Sequence, residues 1–250
     1  MGKAVSKTRL DVALVERGLA ETRAAAQRLV MAGLVFSGER RLEKAGQGIG
    51  PDTALEVRGQ LHPYVSRGGL KLEKALDHFA IPVAGRIALD VGSSTGGFTD
   101  CLLQRGVAKV YAVDVGTNQL AWKLRNDPRV VSMEKTNMRD VTRALIPEPV
   151  ELIVCDASFI GLRTVLPAAL ALAAPGAHLV ALIKPQFEVG KGRVGKGGIV
   201  REPELHDEVC ATISAWLAEQ PGWRVLGVTE SPITGAEGNK EFLIAGLFSG

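Results

Sequence analysis

The sequence predicts an α/β protein with a Rossmann-like, mostly parallel sheet, one antiparallel edge strand and a small N-terminal α+β domain. From about residue 85, apolar strand-like runs alternate with amphipathic segments, a pattern typical of a parallel sheet covered by helices. Two strand-like runs then follow each other directly, which predicts the antiparallel edge strand. Residues 1–62 hold 10 Lys and Arg against 7 Asp and Glu, so they carry the whole net charge of +3 and predict an acidic partner.

The elements follow from periodicity and from cap and stop residues. In the N-terminal part, one helix is predicted from Leu10 to a stop at Gly18 and another from a cap at Thr22 to Gly33. The predicted strands are 86–91, 108–114, 129–133, 150–155, 178–184, 223–230 and 240–248, and the predicted helices are 97–105, 117–126, 138–145, 161–174 and 204–219. The predicted divisions are an N-terminal domain at 1–61, a linker with a leading helix at 62–84 and the large domain at 85–250.

Composition favours an ordinary cytoplasmic protein that needs no metal. Hydrophobic residues make up 46% of the chain, and its three scattered cysteines lack metal-site spacing and fit a reducing compartment. The first residues contain no apolar signal segment. Thr164–Ile183 has no charged residue and is long enough for a membrane span, but Pro167 and Pro175 interrupt it. We therefore predict a helix, a turn and a buried strand there, and no membrane partner.

A glycine-rich turn, LDVGSSTGGFTD at 89–100, joins a strand to a helix, and Asp114 ends the next strand. Such an arrangement is typical of a nucleoside cofactor site, although a turn that only packs strand against helix is the alternative. The turn is not the GxGxxG that holds a pyrophosphate. Asp90 suits a cationic group such as the amino-acid end of S-adenosylmethionine, Asp114 the ribose hydroxyls and Asn137 the adenine. The predicted cofactor-binding residues are Asp90, Gly92, Ser93, Ser94, Thr95, Gly96, Gly97, Phe98, Asp114, Val115, Asn137 and Asp156.

A second glycine run, Gly190–Lys196, matches GxxxxGK. Gly197 stands where a phosphate-binding loop needs Ser or Thr, and no helix is predicted to start there. We reject a phosphate-binding loop. A mobile basic loop over the site and a plain solvated loop both remain open.

Four ionisable residues occupy places that the predicted fold brings together. Asp156 and Lys184 end two strands, Glu241 begins the last strand, and Lys71 lies on the helix before the sheet. Each alone is most simply a structural ion pair. Because a lysine at the end of an apolar strand is costly to bury without a partner or a role, the set together predicts a catalytic group.

The chain resembles the TlyA family, which joins an RNA-binding domain like that of ribosomal protein S-four to an FtsJ-like methyltransferase domain. The resemblance rests on the motifs YVSRGG, DVGSSTGGFTD, DVGTNQLAWKLRNDPRV, DASFI, KPQFEVGKG and GNKEF. It implies a class I methyltransferase that uses S-adenosylmethionine to methylate the 2′-hydroxyl of cytidine in ribosomal RNA. It also implies that Lys71, Asp156, Lys184 and Glu241 match the FtsJ-like catalytic tetrad. The nucleotide, the ribosomal subunit and the oligomeric state stay open.

Lys184 is the predicted base for the ribose hydroxyl, with Lys71 favouring its neutral form and the two acids orienting it. The expected partner is ribosomal RNA or a ribosomal subunit. The residues expected to contact RNA phosphates are Arg9, Arg17, Arg23, Arg28, Arg40, Arg41, Lys44 and Arg67. Three rival functions are a membrane-active hemolysin, a non-catalytic RNA-binding protein and a small-molecule methyltransferase.

Overall fold

A computed structural model describes residues 7–59, 62–190, 192–235 and 238–250. The chain divides into two compact units, the first ending at Pro63 and the second beginning at Tyr64. The elements of the first unit are β1 (Thr8–Arg9), α1 (Leu10–Glu16), α2 (Arg23–Met31), β2 (Val35–Ser37), β3 (Arg40–Arg41), β4 (Gly48–Ile49) and β5 (Glu56–Val57).

The N-terminal unit has the two helices that the sequence predicts. The Thr22 hydroxyl accepts a hydrogen bond from the Ala25 N–H at 3.1 Å and caps α2, as its position before the helix indicated. The two helices bury one apolar face against the short strands, in a core that includes Leu10, Leu14 and Val35. Each such side chain contributes about 1.5–3 kcal/mol when fully buried, and this small core holds the unit together.

The second unit is built on a seven-stranded sheet. Its elements are α3 (Gly68–His78), β6 (Ile87–Val91), α4 (Gly97–Gln104), β7 (Lys109–Val113), α5 (Trp122–Arg125), β8 (Val130–Met133), β9 (Val150–Cys155), α6 (Leu162–Leu170), β10 (Ala173–Ile183), α7 (Pro185–Glu188), α8 (Pro203–Ala218), β11 (Trp223–Glu230) and β12 (Phe242–Phe248). The strand order is β11-β12-β10-β9-β6-β7-β8, and β6 to β10 pair in parallel. The predicted mostly parallel sheet is confirmed.

The predicted antiparallel pairing at one edge of the sheet is present, because the edge strand β11 pairs antiparallel with β12. β12 runs antiparallel to both neighbours and lies between β10 and β11, with β11 at the edge. The reason is the composition of the two strands. Leu243, Ile244 and Ala245 of β12 are fully buried, whereas β11 is largely half-buried, so the more apolar strand takes the interior place.

Three predicted helices are shorter than expected. The predicted 117–126 helix is only α5, and the predicted 138–145 helix is a single 3-10 turn at Met138–Asp140. The third prediction, 161–174, ends at Leu170 because β10 already begins at Ala173. Pro167 lies inside α6 without ending it. The irregular start of β10 absorbs the Pro175–Gly176 turn, since its pairing with β9 shifts register between Ala173 and His178.

Apolar layers cover both faces of the sheet. One contains α6 and α8 residues such as Leu166 and Ile213, and the other contains α3 and α4 residues such as Leu72 and Leu102. The strand order reverses beside β6, with β7 and β8 on one side and β9 and β10 on the other. In such sheets ligands bind at this reversal, outside the carboxyl ends of the strands.

Candidate active site

The four predicted ionisable residues come together in a chain of contacts. Lys71 of α3 places its Nζ 2.6 Å from Glu241 Oε2 and 3.9 Å from Asp156 Oδ2. Lys184, immediately after β10, places its Nζ 2.7 Å from Asp156 Oδ1. The order is therefore Glu241, Lys71, Asp156, Lys184, with Asp156 bridging the two lysines.

Burial differs along this chain. The side chains of Lys71, Lys184 and Glu241 are 10%, 8% and 3% exposed, whereas Asp156 is 22% exposed. Two cations and two anions balance each other, and this pairing allows them to be taken out of water. Asp156 is the most exposed of the four and faces ligand space.

The Lys184 ammonium contacts three oxygen atoms, and two of these contacts are hydrogen bonds. Lys184 donates to the Asp156 carbonyl oxygen at 3.2 Å and to the Ser158 hydroxyl at 2.8 Å. Its contact with Asp156 Oδ1 is an ion pair without hydrogen-bond geometry, and this oxygen is buried with no hydrogen-bond partner among the described residues. Ser158 was missed by sequence reasoning. The signal available was a hydroxyl residue two positions after a strand-end acid in DASFI.

Two cavities meet at this group. The larger is about 620 Å³ and is lined by all four ionisable residues together with Arg67, Ser66 and Gln186, among others. The smaller is about 500 Å³ and runs past the ends of β6 and β7. Five residues line both cavities: Gly92, Ser94, Asp156, Ser158 and Phe159.

The glycine-rich turn is shaped by close contacts. Gly92 has φ +78°, and a Cβ there would lie 2.8 Å from the Ala157 Cα. Because that neighbour is backbone, no side chain can be accommodated, and glycine lets the turn approach the segment after β9. Gly96 has φ +95°, and a Cβ would lie 2.2 Å from Leu124. Gly92 therefore brings the turn against Asp156, while Gly96 serves packing.

Asp114, directly after β7, fixes the backbone around the smaller cavity. Asp114 Oδ2 accepts the Ser94 N–H and Oδ1 accepts the Gly116 N–H, each at 2.7 Å. Each carboxylate oxygen can accept a second hydrogen bond, so Asp114 remains available to a ligand. Val115 and Asn137 line the same cavity. Asn137 Oδ1 also accepts the backbone N–H of residue 139, and its amide nitrogen has no partner within the described residues.

The remaining predicted cofactor residues fall into two groups. Ser93, Thr95, Gly97 and Phe98 line the larger cavity. Asp90 and Gly96 line neither.

Asp90 is fully buried beneath the turn. Its Oδ2 accepts the Thr99 hydroxyl at 2.6 Å, and its Oδ1 has no hydrogen-bond partner among the described residues. Burial, opposed by the Thr99 hydrogen bond, raises the pKa of Asp90 to about 7.

A further acid, Glu134, was not predicted and supports the wall of the smaller cavity. Its carboxylate accepts the backbone N–H groups of Asn118, Gln119 and Leu120 at 3.0, 2.9 and 3.3 Å, and Arg125 donates to it at 2.8 Å. These bonds replace the helix that the sequence predicted from 117, and they carry Gln119 to the cavity. Because the carboxylate is distant in sequence from most of its donors, local pattern gave no sign of this role.

The second glycine run and the residues directly after it border the larger cavity through Val194 and Gly198. Asn239 anchors it, since its amide donates to the Gly198 carbonyl at 3.0 Å and its Oδ1 accepts the Val200 N–H at 3.1 Å. The next α-helix begins only at Pro203. This arrangement differs from a phosphate-binding loop, and residue 191 of the run lies outside the described residues.

Comparison with known proteins identifies the family. Residues 64–248 match the model of the FtsJ-like methyltransferase family. The chain belongs to this family. Residues 8–54 match the S4 domain model. The two matches together give the domain combination of the TlyA proteins.

Individual relatives cover nearly the whole chain. The YqxC protein of Bacillus subtilis, named as a candidate rRNA methyltransferase, is 54% identical over 95% of this chain and 85% of the relative. The 16S/23S rRNA (cytidine-2′-O)-methyltransferase TlyA of Mycobacterium tuberculosis is 48% identical over 95% of this chain and 89% of its own. A solved hemolysin candidate from Streptococcus thermophilus has a TM-score of 0.75 and 47% identity, covering 98% of this chain and 90% of that chain.

A more distant solved structure supports the fold alone. It is an O-methyltransferase of Bacillus cereus in complex with SAH, with a TM-score of 0.50 and 16% identity over 75% of this chain and 82% of that one. The FtsJ-like domain thus has the methyltransferase fold. Within the described ranges, every helix is too short or too polar to reach across a membrane.

Some of the predicted RNA-binding residues of the S4 domain contact other protein groups, and others do not within the described residues. Arg17 donates to backbone carbonyls of the 50–53 turn, Arg9 and Arg23 contact Asp11, and Arg41 contacts Glu43. Three predicted RNA-binding side chains are exposed and make no hydrogen bond or ion pair among the described residues: Arg28, Arg40 and Lys44. Arg67 belongs to the FtsJ-like domain and lines the larger cavity.

Proposed function

We propose that this FtsJ-like protein transfers a methyl group from S-adenosylmethionine to the 2′-hydroxyl of a cytidine in ribosomal RNA. One observation carries the proposal: Asp156 lines both cavities and contacts Lys184. A donor in one cavity and an acceptor in the other would meet at these residues. The name of the Mycobacterium tuberculosis relative supports the choice of cytidine and ribosomal RNA. An enzyme of ribosomal RNA would act in the cytoplasm.

The residues around the smaller cavity fit S-adenosylmethionine. The Asp114 carboxylate keeps acceptor capacity for the two ribose hydroxyls, and the Asn137 amide nitrogen is free for an adenine acceptor. Gly92 and Ser94 line both cavities and so continue the proposed cofactor site toward the larger one. When bound, this cofactor supplies an already activated methyl group on a positively charged sulfur. The protein then has to align the acceptor hydroxyl and remove its proton.

Lys184 is the proposed base, acting in its neutral form after its ammonium group has released one proton to water. A neutral amine has two N–H groups and one lone pair, so it keeps at most two of the three contacts that Lys184 makes. Asp156 Oδ1 makes no hydrogen bond among the described residues, so its ion-pair contact with Lys184 is the one that an incoming ribose hydroxyl would replace. Lys71, held by Glu241, then keeps Asp156 in place as the proton moves from the hydroxyl oxygen to Lys184 Nζ.

We further propose that residues 1–61 bind RNA, that 62–84 form the linker and leading helix, and that 85–250 perform the transfer together with Lys71 of that helix. The exposed Arg28, Arg40 and Lys44 are the proposed phosphate contacts. Replacing all three by glutamine should weaken RNA binding and lower the slope of log K against log salt by about 0.7 for each lost contact. An unchanged slope would assign RNA binding to other residues.

The decisive experiment is methyl transfer from tritiated S-adenosylmethionine to isolated small and large ribosomal subunits and to naked ribosomal RNA. The modified nucleotide is then mapped. Label on a ribose 2′-oxygen of cytidine supports the proposal. Label on a base, or none on any RNA with the cofactor bound, contradicts it.

A further inference from the structure

Asp11 of the S4 domain is a fully buried carboxylate that gathers five hydrogen bonds. Arg9 donates to it through Nε and Nη2, each at 3.0 Å, and the Val12 N–H donates at 3.0 Å. Arg23 Nε and Gln27 Nε2 each donate at 2.9 Å. The hydrogen bonds from Arg9 are the largest cause that holds the pKa of Asp11 well below its usual range. The carboxylate is therefore a fixed anion.

The two arginines on this carboxylate are only partly used by it. Their side chains are 50% and 56% exposed. Arg9 keeps Nη1 free, and Arg23 keeps both Nη atoms free, because no partner for these nitrogens lies among the described residues. A Cβ on Gly46 would lie 3.1 Å from Arg9 Nη1, so the small residue leaves this nitrogen room.

Other acids near arginines in the same domain are different. The Arg58–Glu56 pair has side chains 36% and 59% exposed, and Arg41–Glu43 has 56% and 65%. Because the acids of these pairs are exposed, each pair contributes little stability. Arg58 is also held by the Gly38 carbonyl oxygen and the Phe36 ring, so it does not depend on its acid alone. Only the Asp11 pairs, among the ion pairs found in the described part of this domain, have a fully buried acid.

We propose that Asp11 is a positioning residue for RNA binding, holding Arg9 and Arg23 as a paired clamp for backbone phosphate. Two guanidinium groups fixed on one carboxylate keep a net charge of +1 and present free N–H donors together. Such donors suit phosphate oxygens. Because the side chains are ordered before binding, less conformational entropy is lost when RNA binds. The inference rests on the proposed RNA substrate.

The direction in which one substitution changes RNA affinity distinguishes a positioning role of Asp11 from a purely electrostatic effect. Asp11→Asn removes a negative charge beside two arginines, so electrostatics alone predicts tighter RNA binding. The positioning role predicts weaker binding, by about tenfold, because the arginines lose their common anchor. The measurement is the affinity of the full chain for in vitro transcribed 23S and 16S ribosomal RNA over a salt series.

Glu56→Gln is the matched control. It also removes one acid next to an arginine, but from an exposed pair, and should leave RNA affinity unchanged or slightly higher. Arg23→Lys is the second test variant, because it keeps the charge but a lysine cannot bond to Asp11 and to phosphate with a rigid fork. It should weaken RNA binding several-fold, and since Arg23 is half-exposed it does not depend on tolerance of change at a buried site.

Thermal melting and S-adenosylmethionine affinity are measured for every variant. If the melting temperature of Asp11→Asn is well below that of wild type, the RNA affinity of Arg23→Lys alone tests the positioning role. Wild-type or tighter RNA binding by a folded Asp11→Asn protein, or wild-type binding by Arg23→Lys, would overturn the positioning role. Failure of the wild-type chain to bind either RNA would instead contradict the proposed function, so the two failures are distinguishable.

Discussion

Lys184 Nζ lies 2.7 Å from Asp156 Oδ1, at the wall where the two cavities meet. Both side chains follow directly on neighbouring parallel strands, β10 and β9. Their contact places an amine and a carboxylate where a methyl donor and a ribose would approach each other. The first prediction concerns this amine.

Lys184→Ala and Lys184→Arg should both lower kcat for methyl transfer by about 10²–10⁴-fold, the usual contribution of a general base. Arginine keeps the positive charge but cannot be deprotonated. Equal loss in both variants therefore indicates a base, while substantial activity of the arginine variant would indicate a purely electrostatic role. Single-turnover transfer rates, with cofactor binding by calorimetry as the control, check this.

The buried Lys71–Glu241 pair should matter for stability as well as for activity. Glu241→Gln leaves Lys71 without its 2.6 Å partner and should cost about 3–5 kcal/mol of unfolding free energy. The double variant Lys71→Met with Glu241→Gln should recover much of that loss, because no unpaired charge stays buried. Urea denaturation measures both.

Methyl transfer by that double variant is the second readout. If the pair acts only in folding, activity will return with stability. We expect stability to return while transfer stays low, because Asp156 loses the cation 3.9 Å away that holds it.

Asp90 should make stability depend on pH. Its folded pKa of about 7 lies above the ordinary aspartate value. Between about pH 4 and pH 7 the folded state therefore holds a proton that the unfolded state has lost, and stability falls as pH rises. The stabilising term is complete below the ordinary pKa and is lost by about pH 7, at about 1.4 kcal/mol per pH unit.

Asp90→Asn stays neutral throughout and removes this term. The unfolding free energy of the variant minus that of wild type should therefore increase from pH 5 to pH 8. Urea denaturation of both proteins at these two pH values measures this difference. A constant difference between the two proteins would mean that Asp90 is not protonated in the fold.

Glu134 should position the cofactor loop without taking part in transfer. Glu134→Gln places an amide donor among three backbone N–H groups and should loosen residues 118–120. The KM for S-adenosylmethionine should rise about tenfold, with kcat within about twofold. Steady-state kinetics at saturating RNA separates the two.

Glu148→Gln is the control for Glu134, because that carboxylate bonds Lys109 and Tyr111 and lines neither cavity. Its cofactor KM should match wild type. If the cofactor KM rises equally in both variants, the effect of Glu134→Gln comes from general destabilisation, which would contradict a positioning role for Glu134.

Much of the fold was predictable because the signals are local. All seven predicted strands of the large sheet form, although β10 begins at Ala173 instead of 178. The cap at Thr22 and the stop at Gly18 lie where their residue types indicated. The predictions failed, or were silent, where groups far apart in the sequence decide the structure. Glu134 holds residues 118–120 out of a helix, and the burial of β12 decides which of the last two strands lies inside the sheet.

In the candidate site, too, local sequence signals predicted some features, whereas contacts between distant residues decided others. Strand-end position was enough to select Asp156, Lys184 and Glu241, since the carboxyl ends of parallel strands and the amino end of an antiparallel strand meet at the same edge of a sheet. Position could not show that Asp90 lies beneath the turn, nor that Asp11 anchors two of the arginines predicted to contact RNA.

The sequence by itself determined the family motifs, the parallel sheet and the residue types at its ligand-binding edge, because these depend on local periodicity and strand ends. Only the tertiary structure decided the order of contacts from Glu241 through Lys71 and Asp156 to Lys184. It also decided how the glycine turn meets the segment after β9. Those contacts join residues far apart in the chain, and their distances and burial depend on how the whole sheet packs.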